Sequence, residues 1–86
     1  MKFILSHHAQ LEMAQRGIPL DLLESLLQQP QQVVPEREGK KAYQSQLDFG
    51  GGKFFLLRAI VDDEVDPAIM VTVYRTSKIS KYWRVT

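Results

Sequence analysis

Lys53-Phe54-Phe55-Leu56-Leu57-Arg58-Ala59-Ile60-Val61 is the stretch on which the fold turns. It is strand-sized, rich in aromatic and β-branched residues, and nearly continuously apolar. That makes it a central strand. Arg58 is its one internal charge, and a guanidinium there must reach either solvent on an open face or a partner such as Asp48 or Glu12.

Turns bound this strand on both sides. Gly50-Gly51-Gly52 precedes it and reads as a hairpin connection that needs unusual backbone angles. Asp62-Asp63-Glu64-Val65-Asp66 follows it, and after Pro67 the run Ala68–Arg75 is again β-branched and apolar. Upstream, Tyr43, Ser45, Leu47 and Phe49 alternate with Ala42, Gln44, Gln46 and Asp48, the pattern of a half-buried strand. Glu38-Gly39-Lys40 looks like a turn, and Gln32–Glu36 a weak strand at an edge, because Pro35 has no N–H for a ladder.

Further toward the amino terminus the period becomes helical. Leu22, Leu23, Leu26 and Leu27 form one apolar stripe, opened by Pro19 as first helical residue and ended by Pro30. Before it, Ser6 is an N-cap for a helix over His7–Gln15, and Gly17 supplies the left-handed residue that ends it. Met1–Leu5 reads as a short strand, and residues 77–86 as either a final strand or a short helix. The order is β-α-α-β-β-β(-β): an α+β domain over residues 1–86, its antiparallel sheet covered on one face by a two-helix hairpin. Leu23, Leu26, Leu27, Phe55, Leu57, Ile60, Ile69, Val71 and Val73 are its expected core.

The composition excludes several classes of function. The chain has 86 residues, 44% of them hydrophobic and 24% charged, which fits one globular domain and neither a disordered segment nor a coiled coil. Cysteine is absent, so disulfides, thiolate metal sites and cysteine nucleophiles are ruled out. No apolar run is long enough for a signal sequence or a bilayer span, which points to a cytoplasmic protein without membrane contact.

Charge is uneven along the chain. Residues 1–39 hold three basic against five acidic residues, net −2, and residues 40–86 hold eight against five, net +3. The last twelve residues carry Arg75, Lys78, Lys81 and Arg84 with no acid, interleaved with Tyr82 and Trp83 and preceded by Tyr74. Positive charge mixed with stacking surface suits single-stranded nucleic acid, and a solvated basic tail is the plain alternative. On a helix, His8, Glu12 and Arg16 fall on one stripe, offering a base, an orienting carboxylate and a cation. An ordinary salt-bridged helix face has the same spacing. Metal-ligand spacing is missing, and Gly50-Gly51-Gly52-Lys53 is no phosphate loop because a strand follows it. Arg58 and Arg75 would share a phosphate-binding face if their strands pair across the acidic turn.

Ser6-His7-His8-Ala9, Met13, Arg16-Gly17-Ile18, Leu27 and Pro30, with the closing Thr72-Val73-Tyr74-Arg75-Thr76-Ser77-Lys78-Ile79-Ser80-Lys81-Tyr82, resemble the motifs of a short-chain branch of the RelE/ParE-like toxin superfamily, a branch largely without assigned function. Glu12 departs from that pattern, which commonly has a basic residue there. The resemblance implies the toxin component of a bacterial type II toxin–antitoxin system, a metal-independent mRNA endoribonuclease without cofactor that uses the RNA 2′-OH as nucleophile. His8, Arg75 and Tyr82 would then be catalytic, with Arg58, Tyr74, Lys78, Lys81, Trp83 and Arg84 binding RNA and Glu12 and Arg16 orienting. The partners implied are a small cognate antitoxin and RNA (ribosome-bound mRNA included); a homodimer, with the basic, aromatic strip packed on the protein's own sheet, is the plain alternative to the antitoxin. The alternative on the same fold is a non-enzymatic protein-binding module, a gyrase poison or an inactive homologue.

Overall fold

A computed structural model describes residues 2–85. The elements run β1 (Phe3–Leu5), α1 (His7–Arg16), α2 (Leu20–Gln28), β2 (Gln32–Pro35), β3 (Lys41–Asp48), β4 (Phe54–Asp62), β5 (Ala68–Thr76) and α3 (Ile79–Tyr82), with one 3-10 turn at Arg37–Gly39. The architecture is α+β, and the sheet order is β1-β5-β4-β3-β2. As its unbroken apolar run requires, β4 is the central strand. β2 lies at an edge, where Pro35 disrupts no inner ladder.

The helix ends follow local chemistry. The Ser6 hydroxyl accepts the Ala9 N–H at 3.1 Å, and Gly17 closes α1 at φ 61° with its N–H on the Met13 carbonyl. Pro19 stands one position before the first residue of α2 rather than inside it, and the Leu23 N–H returns to its carbonyl at 3.3 Å.

Two features depart from the sequence reading. The sheet is mixed, because β1 pairs parallel with β5 while every other pair is antiparallel. Both helices intervene between β1 and the hairpins, and a crossover of that length permits parallel pairing. The second departure concerns coverage. α1 packs along β5 and α2 against β3 on one face, whereas α3 folds onto the opposite face. Residues 79–82 are thus a short helix, and β3 is buried on both sides over Ala42–Ser45 instead of on one.

Leu23, Leu26, Leu57, Ile60 and Val73 are buried as expected; Leu27, Phe55, Ile69 and Val71 are only half-buried. The periodicity argument passed over Ala9, Ile18, Tyr43, Leu56, Ala59, Val61, Ala68 and Met70, all of them buried. The main cluster lies under the helices, and a smaller one of Val34, Ala42 and Ile60, with Val71 against it, lies behind the sheet. Among the described residues no helix is long and apolar enough to cross a membrane.

Candidate nucleic-acid interface

A polar row crosses the reverse of the sheet. Gln32 on β2 stands opposite Gln44 on β3, Gln44 opposite Arg58 on β4, and Arg58 opposite Tyr74 on β5. Residues in cross-strand register share a face, so four side chains from four strands meet in one line. The Gln44 amide donates to Gln32 Oε1 at 2.8 Å, and Gln44 Oε1 accepts Arg58 Nε at 2.8 Å. Arg58 also donates from one terminal nitrogen to the Tyr74 hydroxyl and from the other to Glu36 Oε2 at 3.3 Å. Every nitrogen of this guanidinium has an acceptor, as a charge with a 5% exposed side chain requires.

α3 closes over the row. The Tyr82 ring lies 4.3 Å from the guanidinium carbon, and the Tyr74 ring 5.7 Å from it, with the two rings edge-to-face at 6.2 Å. The Tyr82 carbonyl accepts the Gln44 amide at 3.2 Å. Gln32 then holds the following segment by its backbone: its Oε1 accepts the Arg84 N–H at 3.1 Å, and its Nε2 donates to the Arg84 carbonyl at 2.6 Å. Lys81 Nζ sits 5.2 Å from the Tyr82 ring centre.

The two hydroxyls on this face are pushed in opposite directions. Burial raises Tyr74 above the usual tyrosine value, against the lowering pull of Arg58. Tyr82 is lowered, first by its hydrogen bond with Tyr74 and, against a smaller effect of burial, by the hydrogen bond and charge of Lys81 and the charge of Arg58. A phenol made more acidic beside a fixed cation is a candidate for proton transfer.

Other residues singled out from the sequence lie elsewhere. Arg75 stands opposite Leu57, on the helix side, so it does not share a face with Arg58. Successive strand residues alternate faces, and it is Tyr74 that faces Arg58. Neither Asp48 nor Glu12 pairs with Arg58; Glu36, just past β2, does so. Lys78 and Arg84 are exposed, and Trp83 is half-buried beyond α3.

His8, Glu12 and Arg16 do come together on α1, with His8 Nε2 3.4 Å and Arg16 2.9 Å from the Glu12 carboxylate. The carboxylate is turned inward, however. Glu12 Oε1 accepts the Thr72 hydroxyl and, at 3.1 Å, the Val73 N–H, while Arg16 donates to the Val73 carbonyl at 2.8 Å. The reason lies in β5, which has a bulge where its register against β4 slips between Ile60 and Val61. Pairing with β1 stops at Met70, so beyond it Val73 has no strand on that side. Glu12 and Arg16 take the place of that strand and satisfy both backbone groups. Burial pulls the Glu12 carboxyl up, but the bonds from Thr72 and Val73 and the charges of Arg16 and His8 outweigh it and leave it below its ordinary value.

A further ion pair stands at the start of β3, where the exposed Lys41 Nζ bonds both Asp63 oxygens at 3.0 Å and the Tyr43 hydroxyl donates to Asp63 at 3.2 Å. No group of three or more His, Asp or Glu side chains stands close enough to hold a metal among the described residues.

Residues 5–75 match the family described as Domain of unknown function (DUF4258). The chain belongs to that family. No curated protein and no solved structure matches it. The matched span of this DUF4258 chain contains Gln32, Gln44, Arg58 and Tyr74 and stops before α3, so the family region supplies the row and the segment beyond it supplies Tyr82.

Sequence reasoning missed Gln32, Gln44 and Glu36. A usable signal existed for the two glutamines: each is a polar residue inside a strand, in register with Arg58 once the turn lengths are fixed.

Proposed function

We propose that this chain is the toxin component of a bacterial type II toxin–antitoxin pair and cuts mRNA in the cytoplasm without a metal, at the face built from Arg58, Tyr74 and Tyr82. The observation that carries this reading is the convergence of a fixed guanidinium, an acidified phenol and the Lys81 ammonium on one side of the sheet. RNA contains its own nucleophile, so such a site needs only proton transfer and positive charge at the phosphate. Tyr82 takes the proton of the 2′-OH as the 2′-oxygen bonds to phosphorus. The bond from phosphorus to the 5′-oxygen breaks, and that oxygen leaves with the proton Tyr82 returns. The products are a 2′,3′-cyclic phosphate and a 5′-hydroxyl. Lys81 stabilises the charge gathered on the phosphoryl oxygens, while the enclosed Arg58 holds the Tyr82 ring and favours its phenolate form. Lys78, Trp83 and Arg84 extend the contact along the strand.

The partner implied is a small antitoxin presenting acidic and apolar side chains to residues 74–84, which would cover the site while complementing its charge. A second copy of the chain on the same surface is the competing arrangement. One observation favours the non-enzymatic alternative, a protein-binding module. Arg58 already has an acceptor on every nitrogen, and a cation so enclosed also serves to fasten α3.

The test uses the purified full chain and RNA in the presence of a chelator. Cleavage leaving cyclic phosphate ends is expected, and Tyr82→Phe should slow it by roughly 10²–10⁴-fold, the usual range for removing a proton-transfer group. No cleavage of free or ribosome-bound mRNA, cleavage indifferent to Tyr82→Phe, or cleavage abolished by the chelator and restored by magnesium would overturn the reading.

A further inference from the structure

Arg75 is held differently from Arg58 on β4 and Arg16 on α1. Its guanidinium carbon lies 4.9 Å from the Phe49 ring centre and 4.8 Å from that of Phe55. Those rings meet edge-to-face at 5.5 Å and 86°, which makes a corner in which the guanidinium is seated. Two aromatic contacts restrict the side chain, yet among the described residues no carboxylate lies within ion-pair distance of it. Arg58 and Arg16, by contrast, are each bonded to a carboxylate.

The surroundings keep that charge uncompensated. Asp48, next to Phe49, belongs to the opposite face by strand alternation, and its Oδ1 accepts the Gly50 N–H at 2.7 Å. Gly51, in the turn that follows, has φ 60° and open space where a side chain would stand, so a ligand can approach the backbone closely. Lys53, two residues before Phe55, is exposed. The corner thus offers a braced guanidinium and a bare turn, with an exposed lysine two residues from Phe55.

We propose that the Arg75–Phe49–Phe55 corner, with Lys53, is a second binding site for single-stranded RNA, gripping phosphates of the strand on the helix side of the sheet. The chemistry selects RNA over a protein partner. A protein interface centred on an arginine needs a surrounding apolar core. The exposed large apolar residues do not supply one: Phe54 faces the reverse of the sheet, Ile4, Leu11 and Leu20 lie on β1 and the helices, Val33 on the edge strand β2, Val65 in the acidic turn and Val85 beyond α3. Phosphate binding needs cations without nearby acids, which is what the corner presents.

This inference rests on the RNA reading of the chain, and its test separates the two. Binding of a single-stranded oligonucleotide methylated at every 2′-oxygen, which cannot be cleaved, is followed by fluorescence anisotropy across a salt series. Arg75→Gln should weaken binding about 5- to 10-fold, and the slope of log K against log salt should become shallower by ~0.7, the loss of one single-strand phosphate contact. Lys53→Gln should act in the same direction, and Phe49→Leu should weaken affinity without altering the slope. Unchanged affinity and slope in Arg75→Gln would overturn the inference while leaving cleavage intact as a separate result. Arg75-dependent binding by a chain that does not cleave would uphold the inference and sink the ribonuclease reading. Failure of the unaltered chain to bind the oligonucleotide would overturn the inference.

Discussion

Under α1 and α2 the central strand presents Leu57, Ala59 and Val61, all fully buried, and Leu23 and Leu26 close over them. On its reverse the same strand presents Leu56, Arg58 and Ile60, and what closes over Arg58 is Tyr82. The first face is held by apolar area, which is non-directional and tolerates small rearrangements. The second is held by the Gln44 bond to the Tyr82 carbonyl, the Arg58 guanidinium against the Tyr82 ring and the Gln32 bonds to Arg84, which fasten a four-residue helix that could not stand alone. One face therefore carries the stability of the domain, and the other fixes the positions of a few groups. That division is what a site on the reverse face requires, since its proton-transfer and charged groups must be placed more accurately than packing alone would place them.

The hardest blow to this contrast would come from the helix side. Leu26 is fully buried at the centre of the main cluster, so Leu26→Ala removes methyl groups and leaves a cavity in a close-packed region. A loss of about 2–5 kcal/mol is expected, measured by urea unfolding. A variant that unfolds at the parent's midpoint would mean that the helix face does not carry the stability assigned to it.

Glu12 sharpens the comparison because it is the polar exception on the apolar side. Replacing it by Ala leaves the buried Val73 N–H without an acceptor, a cost of about 1–3 kcal/mol. Its carboxyl lies below the ordinary value when folded, despite burial, because of the bonds from Thr72 and Val73 and the charges of Arg16 and His8. A depressed carboxyl contributes stability that is present above its unfolded value, near ~4.3, and is lost as the pH falls toward the folded value. Glu12→Gln should therefore lower stability at neutral pH and flatten its decline in acid, read from unfolding midpoints across that range. An acid decline as steep as the parent's would move the effect to Asp63, whose carboxyl is also lowered, first by the Lys41 hydrogen bond.

How much was legible in the sequence follows the same division. β4, β5 and the α2 stripe were readable because burial imposes a period, and Ser6, Gly17 and Pro30 marked helix ends through local backbone chemistry. The parallel pairing of β1 was not readable, since three residues carry too little pattern to choose a neighbour. The bulge at Val71 was equally silent, although it sets which residues of β5 face Arg58. Pattern alone therefore put Arg58 and Arg75 on one face if their strands paired, when register places Tyr74 there. The stripe His8–Glu12–Arg16 was correctly assembled, but its plain structural role needed the sight of Val73, which lacks a strand on the side away from β4. Tyr82 was legible as a type of residue and not as a position, because α3 is placed by Gln32 and Gln44, and glutamines in strands announce nothing until register aligns them.

The smallest effect expected bears on the reverse face and leaves stability almost untouched. The sequence has three tyrosines, so an ultraviolet titration of the phenols resolves them with single substitutions. Tyr82 should ionise first, below the usual value, because Tyr74 donates to it and the charges of Lys81 and Arg58 favour the phenolate. Tyr74 and Tyr43 should ionise later than usual, each chiefly because burial disfavours its charged form. Lys81→Gln removes one of the two cations and one hydrogen bond, and should move the first step upward while leaving the Tyr43 step in place. Tyr74→Phe should move it further, since that bond is the largest influence on Tyr82. If all three phenols titrate together near their ordinary value, the reverse face lacks the electrostatic organisation its geometry implies. Tyr82 would then have no advantage over any exposed tyrosine as a proton acceptor, and the row from Gln32 to Tyr74 would be a fastening for α3 and nothing more.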